Sequence, residues 1–302
     1  MIANTELTIR LSDGRRLGYA DYGDPAGVPV LHFHGTPDSR LEGTLPIVAE
    51  TASQLGVRLV LPDRPGIGLS DFKPGRTILD WPEDVLALAG ALGFERFAVM
   101  GLSGGGPYAA ACAWKIPQRI TRVGIISGVA PLEMPGAMDF LSKTSDGQAV
   151  RLGAKAPWLL RLVLAYTVFQ FRRDPEKLVA QTAAEVSPPD QAALRRREVA
   201  ETVIRMTAGA FQQGARGAAW DYTLFSRPWG FSLGDIRLPV FLWHGEDDWV
   251  CPVAMGRYVA ENILGCTARF VPGEGHISLI VNHFAEILSV VAASGCDQEK
   301  YY

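Results

Sequence analysis

The stretch Val99-Met100-Gly101-Leu102-Ser103-Gly104-Gly105-Gly106-Pro107 constrains the fold of this chain more than any other. An apolar run from Phe97 to Met100 stops at a Gly-x-Ser-x-Gly pentapeptide, and Pro107 with the alanine-rich segment Tyr108 to Trp114 reads as a helix. The pattern is strand, sharp turn, helix. A serine at the tip of such a turn adopts a strained backbone conformation, and glycines two residues before and two after it remove side chains that would clash. The turn lifts the hydroxyl clear of a sheet and aims the N–H groups of the new helix at it, where they can stabilise an oxyanion. Ser103 is therefore the candidate nucleophile.

On either side of this turn the chain alternates strand-like and helix-like segments. Thr5 to Leu11 and Leu17 to Tyr22 alternate apolar and polar residues around Ser12-Asp13-Gly14, which predicts a β-hairpin. Val28 to His34 is a nearly continuous apolar run of the buried-strand kind and ends at His34-Gly35-Thr36-Pro37. A helix over Leu41 to Leu55 and a strand over Val57 to Leu61 follow, the strand ending at Asp63-Arg64-Pro65-Gly66-Ile67-Gly68. Next come a helix over Leu79 to Leu92, the strand into Ser103, its helix, and a strand over Val123 to Ile126. Such alternation means crossover connections and a mostly parallel central sheet with helices on both faces. Ligands of these sheets bind beyond the carboxyl ends of the strands, so the His34 loop, the Asp63 loop and Ser103 share one rim.

From about Pro131 to Leu233 the pattern is helical throughout, which predicts an all-helical cap over that rim. The expected division is a core of residues 1–130 and 234–302 with a cap of residues 131–233. Ser187-Pro188-Pro189-Asp190 reads as a helix start, with serine as cap, proline in the first turn and an acid three residues on. That helix is expected to run to Gln213 and stop at Gly214. Trp158, Tyr166, Phe169, Phe211 and Trp220 read as packing residues rather than substrate contacts. The α/β pattern resumes with a strand over Leu238 to Gly245, then Glu246-Asp247-Asp248, a helix to about Leu264 and a last strand over Ala268 to Val271. It closes with Pro272-Gly273-Glu274-Gly275-His276 and a helix over Ile277 to Val291, while Cys296 to Tyr302 reads as a frayed polar tail.

The net charge of −3 over 302 residues leaves no electrostatic footprint for nucleic acid. The run Arg195-Arg196-Arg197, with Glu198, Glu201 and Arg205 after it, reads as a solvated helix face. Cys112, Cys251, Cys266 and Cys296 have no paired spacing, which suits a reduced, cytoplasmic chain. Asn4, Thr5 and Glu6 interrupt any apolar leader, and the most apolar segment, Trp158 to Phe171, is broken by Arg161 and falls short of the roughly 20 residues that span a bilayer. No membrane partner is expected. The partner is a small-molecule substrate, and the sequence leaves the oligomeric state open.

A serine hydroxyl needs a general base, and the base needs a partner that fixes its tautomer. Of five histidines, His32, His34 and His244 lie in or at the ends of strands and read as structural, and His283 lies within the last helix. His276 stands in a Gly-x-Gly-His loop after the final strand, where a side chain reaches the rim, and is the candidate base. Asp247 and Asp248 are both available as its acid and do not differ in charge. Position favours Asp248, three residues after Gly245 with Pro252 opening the next helix.

These motifs together, His34-Gly35-Thr36-Pro37, Asp63 to Gly68, Gly101 to Gly105, Gly245 to Asp248 and Gly275-His276, resemble the α/β-hydrolase fold superfamily with a helical cap. They occur in its order of nucleophile, acid, histidine and cover roughly Leu7 to Val291. The resemblance implies that Ser103 attacks an acyl carbon, that His276 moves the proton, and that Asp248 orients His276. It also implies an oxyanion hole from the backbone N–H groups of Thr36 and Gly104, and it assigns the Asp63 to Gly68 loop a structural part. Haloalkane dehalogenases and epoxide hydrolases of this fold carry aspartate at the Ser103 position, so serine points to an acyl-enzyme. The His34 loop lacks both the longer glycine run of lipase-type esterases and the Gly-Gly-Pro-Gly pattern of proline iminopeptidases. A serine hydrolase acting on a small or medium ester, thioester or lactone is the resulting expectation, with no cofactor and no metal. Carbon–carbon bond hydrolysis, acyl transfer and perhydrolysis on the same three residues, or small-molecule binding without turnover, stay open beside it.

Overall fold

The computed structural model describes residues 4–140 and 144–293. The polar tail with Cys296 lies outside the described residues. Among those described, one sheet holds β1 (Asn4–Arg10), β2 (Arg16–Gly23), β3 (Val28–Phe33), β4 (Val57–Pro62), β5 (Phe97–Leu102), β6 (Ile120–Ile126), β7 (Val240–Gly245) and β8 (Thr267–Val271). The order across the sheet is β1-β2-β4-β3-β5-β6-β7-β8. β1 and β2 form the expected hairpin, with Ile9 opposite Leu17, and β2 pairs antiparallel with β4. Every later pairing is parallel.

Helices α1 (Pro46–Gln54), α2 (Trp81–Ala91) and α3 (Gly106–Lys115) connect the first strands, and α11 (Val253–Asn262) and α12 (His276–Ala292) the last. Between β6 and β7 lies a helical insert, α4 (Ala137–Phe140), α5 (Ser145–Lys155), α6 (Pro157–Arg173), α7 (Pro175–Ala183), α8 (Pro188–Leu194), α9 (Arg197–Ala210) and α10 (Arg216–Phe225). Two apolar layers sandwich the sheet. On one face Phe33, Trp81, Val85 and Tyr108 pack together, with Phe33 and Trp81 edge to face at 5.4 Å. On the other, Ala52, Leu59, Met100, Phe284 and Leu288 join the sheet to α1 and α12. All six residues of β5 are buried, which fixes the strand that ends at Ser103 in the centre of the sheet.

Three expectations change. The segment expected as one helix from Leu41 to Leu55 begins as a 3₁₀ turn, Arg40–Thr44, and breaks at Leu45, where φ is −62° and ψ 122°. Pro46 is the cause, because a residue before proline avoids the helical region. The helix expected from Pro188 to Gln213 is divided into α8 and α9 by Arg196, which is extended at φ −73° and ψ 125°. No glycine or proline marks this break; it lets α8 turn onto α12, where Arg196 Nη2 also donates to Asn282 Oδ1 at 3.2 Å. The solvated face is present on α9, where Glu201 bridges Arg197 at 2.7 Å and Arg205 at 3.1 Å.

The third change concerns α6. Leu160, Leu164, Val168 and Phe171 recur at helical spacing and are buried. Trp158, Tyr166 and Phe169, read from sequence as packing residues, lie on the outward side at 68%, 61% and 54% exposure. A helix apolar on all sides carries no pattern that tells its inner face from its outer one. Phe211 is buried and Trp220 packs against the core as expected. No helix among the described residues is long and apolar enough to cross a membrane.

Candidate active site

Ser103 occupies the turn between β5 and α3 with φ of 53°, a left-handed conformation that costs a side-chain-bearing residue about 1–3 kcal/mol. The flanking glycines are required by contact. A Cβ on Gly101 would lie 2.3 Å from the carbonyl oxygen of Gly105, and one on Gly105 would lie 2.1 Å from that of Phe33.

The loop after β3 lies against this serine. A Cβ on Gly35 would be 3.6 Å from Ser103 Cβ, and one on Gly104 would be 2.7 Å from Thr36 Oγ1, so the loop after β3 packs against the serine turn. Arg64, in the loop after β4, holds this segment. Its Nη1 donates to His34 O, and its Nη2 donates to Gly35 O at 2.7 Å and to Thr36 Oγ1 at 2.6 Å. The His34 imidazole is pushed well below its ordinary pKa by burial and is neutral. Its Nε2 accepts the Arg64 backbone N–H at 3.2 Å, so its Nδ1 donates to Gly35 O at 2.8 Å.

Arg64 is paired from within the insert. Its Nε donates to Asp221 Oδ2 of α10 at 2.9 Å, while Asp221 Oδ1 accepts from Arg76 Nη2 and, at 2.8 Å, from the Tyr108 hydroxyl. Asp221 is fully buried. Burial alone would raise its pKa, but the two guanidiniums outweigh it and hold the carboxyl well below the usual range.

On the other side of Ser103, Asp248 follows β7. Its Oδ1 accepts the backbone N–H groups of Val250 at 2.9 Å and Cys251 at 2.8 Å. Its Oδ2 lies 2.8 Å from His276 Nδ1. Asp247 points away, exposed, with its backbone N–H on Glu274 O. Burial disfavours charge on both partners of the pair, yet each stabilises the other: Asp248 is lowered and His276 raised relative to their ordinary values. Nδ1 is taken by Asp248, so Nε2 is the His276 atom that can exchange a proton on the cavity side. The Cys251 thiol is kept protonated by burial.

Ser103 and His276 both line a cavity of about 560 Å³ between the rim and the insert. Leu152, Leu164, Val199, Met206, Phe211 and Ile280 supply much of its wall. Four carboxylates, Asp38, Glu42, Asp146 and Glu185, also face it, and none of the described lining residues is lysine or arginine. Burial and the neighbouring Glu42 and Asp146 push the Asp38 carboxyl up to about 7. Asp146 is bonded by the Tyr222 hydroxyl.

His32 and His283 serve elsewhere, and His244 stands beside the acid, with Nε2 3.6 Å from Asp248 Oδ2. His32 pairs with Glu42 at 2.9 Å, His244 Nε2 bonds Cys251 O at 2.6 Å, and His283 lies between Glu274 and Glu286. Among the described residues no three His, Cys, Asp or Glu side chains are grouped to hold a metal ion. Sequence reading missed Asp38, Asp146, Glu185 and Asp221, which carry no local pattern. It also misassigned Asp190. Ser187 makes no side-chain cap on its own helix, and Asp190 turns instead to α12.

Solved structures of similar fold cover nearly the whole chain. A hydrolase from Pseudomonas aeruginosa PA01 superposes with a TM-score of 0.70 at 22% identity, covering 97% of this chain and 100% of that one. The esterase RhEst1 from Rhodococcus sp. ECU1013 gives 0.69 at 20% identity over 96% and 99%. The enol-lactonase from Burkholderia xenovorans LB400 gives 0.65 at 21% over 96% and 98%. In sequence, 127 residues are 32% identical to a non-heme chloroperoxidase from Streptomyces lividans, a match that takes in 41% of this chain and 45% of that protein, less than half the relative's length. A family model for the alpha/beta hydrolase fold matches residues 28–283, most of the chain, and the chain belongs to that family.

Proposed function

We propose that this protein is a serine hydrolase that cleaves uncharged esters or lactones with an apolar acyl group through an acyl-enzyme. The observation that carries the reading is the 2.8 Å contact of His276 Nδ1 with Asp248 Oδ2 beside a serine at positive φ on the same cavity. Ser103 Oγ attacks the acyl carbon as its proton passes to His276 Nε2. The resulting oxyanion is met by the backbone N–H groups of Thr36 and Gly104, each such donor contributing about 10²–10³ in rate. Collapse expels the alkoxide, which takes the proton from His276 and leaves as alcohol. Water, activated by His276, then releases the acid and restores Ser103. The insert acts as a cap over the acyl site.

The wall of the cavity supports the choice of substrate. Aliphatic side chains favour a hydrocarbon chain, and among the described lining residues there is no lysine or arginine to pair with a carboxylate on the substrate. The esterase and lactonase activities named for structures of this fold agree with the reading.

The test is a fluorophosphonate adduct mapped by peptide mass spectrometry, together with nitrophenyl esters of rising chain length and one ending in a carboxylate. Labelling at Ser103, turnover of neutral esters and a loss of about tenfold or more for the carboxylate ester are expected. Absence of labelling and of turnover would overturn the hydrolase reading. The chloroperoxidase match favours a second outcome on the same acyl-enzyme. There hydrogen peroxide replaces water and the product is a peroxy acid, detectable when ester and peroxide are supplied together.

A further inference from the structure

His276 is the first residue of α12, so the backbone N–H groups of that turn have no partner within the helix. Asp190 supplies one from the insert. Its Oδ2 accepts the N–H of His276 at 2.9 Å, and its Oδ1 accepts those of Ile277 and Ser278, each at 2.8 Å. Ser187 Oγ donates to the same carboxylate at 3.0 Å, and Asp190 is fully buried. A carboxylate here also meets the positive end of the helix dipole.

A second feature answers to this contact. A Cβ on Gly275 would lie 2.4 Å from Asp190 Oδ2 and 2.3 Å from Ser187 Oγ. The φ of Gly275 is −99°, outside the left-handed region, and the approach of α8 leaves no room for a side chain there.

We infer that Asp190 is a positioning residue for His276, through which the insert fixes the backbone of the proposed base while Asp248 fixes its ring. Asp190 touches no reacting atom. This inference rests on the reading of His276 as the base.

Charge adds to geometry. Groups that act on the His276 ring come from every side: Asp248 and His244 from β7 and its loop, Asp146 from α5, Asp38 from the loop after β3, and Asp190 from α8. Burial opposes the imidazolium, and Asp248, Asp190 and Asp146 favour it. Removing the charge of Asp190 therefore lowers the pKa of His276. The base then becomes available at lower pH, although it is held less well.

The experiment uses the full chain with isotope-labelled histidine. The His276 ring is titrated by NMR, its signal assigned by loss in His276→Asn, in wild type, Asp190→Asn and Gly275→Ala. Asparagine keeps the size and one acceptor oxygen but no charge. Expected for Asp190→Asn is a His276 pKa lower by about one unit. With a neutral nitrophenyl ester, kcat falls about tenfold, KM stays within about twofold, and the acid limb of kcat/KM moves to lower pH by the same shift. Gly275→Ala, whose methyl displaces the carboxylate without removing it, is expected to lower kcat and the His276 pKa in the same direction.

A cap with only a structural part would lower the melting temperature and leave titration and limb in place. An unaltered His276 titration with unaltered kcat in Asp190→Asn overturns the inference. If that variant does not fold, the same result in Gly275→Ala overturns it. A wild type that turns over no ester defeats the proposed activity instead, and the titration still decides the role of Asp190.

Discussion

The rim at the strand ends and the helical insert above it are held by different means. At the rim, Ser103 and Asp248 are shaped by groups close in sequence. Ser103 is framed by Gly101 and Gly105, and Asp248 is bonded by the N–H groups of Val250 and Cys251. The insert reaches the site through single buried carboxylates that cross the chain, Asp221 to Arg64 over 157 residues and Asp190 to His276 over 86. A short motif thus sets the chemistry, while long-range charge sets how firmly its parts are held.

Substitutions at graded distance from the chemistry test this contrast. Ser103→Ala should reduce ester turnover by on the order of 10⁶-fold with little change in melting temperature, since the loss falls on the reaction alone. Retained turnover would remove the rim from its assigned place. Asp221→Asn should do the opposite and act first on stability. It leaves two buried guanidiniums without their carboxylate, which costs about 3–5 kcal/mol in chemical denaturation. A loss under about 1 kcal/mol would show that the insert and core are joined by packing rather than by this ion pair. Trp158→Ser on α6 should change stability by less than about 0.5 kcal/mol, because the side chain is 68% exposed. A larger loss would show that the outward face of α6 has a partner.

The same contrast explains what the sequence made legible. The strands on either side of β5, the hairpin and the turn at Ser103 follow from periodicity and glycine placement, which record local geometry. Asp248 could be preferred to Asp247 by position, and the structure brings Asp248 to His276. The insert was legible only as a run of helices. Its inner and outer faces on α6 depend on what it packs against, and the break at Arg196 falls where the chain meets α12, with no glycine or proline to mark it. Ser187-Pro188-Pro189-Asp190 has the form of a self-capping helix start, yet its acid serves another helix, because a buried carboxylate goes to the N–H groups that lack partners. Arg64 was legible as part of a loop, but neither its grip on the His34 to Thr36 backbone nor its counter-charge could be read from neighbours in sequence.

The Asp221 pairing also bears on how such a chain can be recombined with its relatives. Residue 233 is the natural place to cut if helices are sorted from strands, yet such a graft would carry off the acid and leave Arg64 and Arg76 behind. A donor insert would have to bring a carboxylate to the same point. A chimera that keeps α10 with the strands preserves these ion pairs, and its donor helices must then supply a partner for the Tyr222 hydroxyl, which bonds Asp146 of α5.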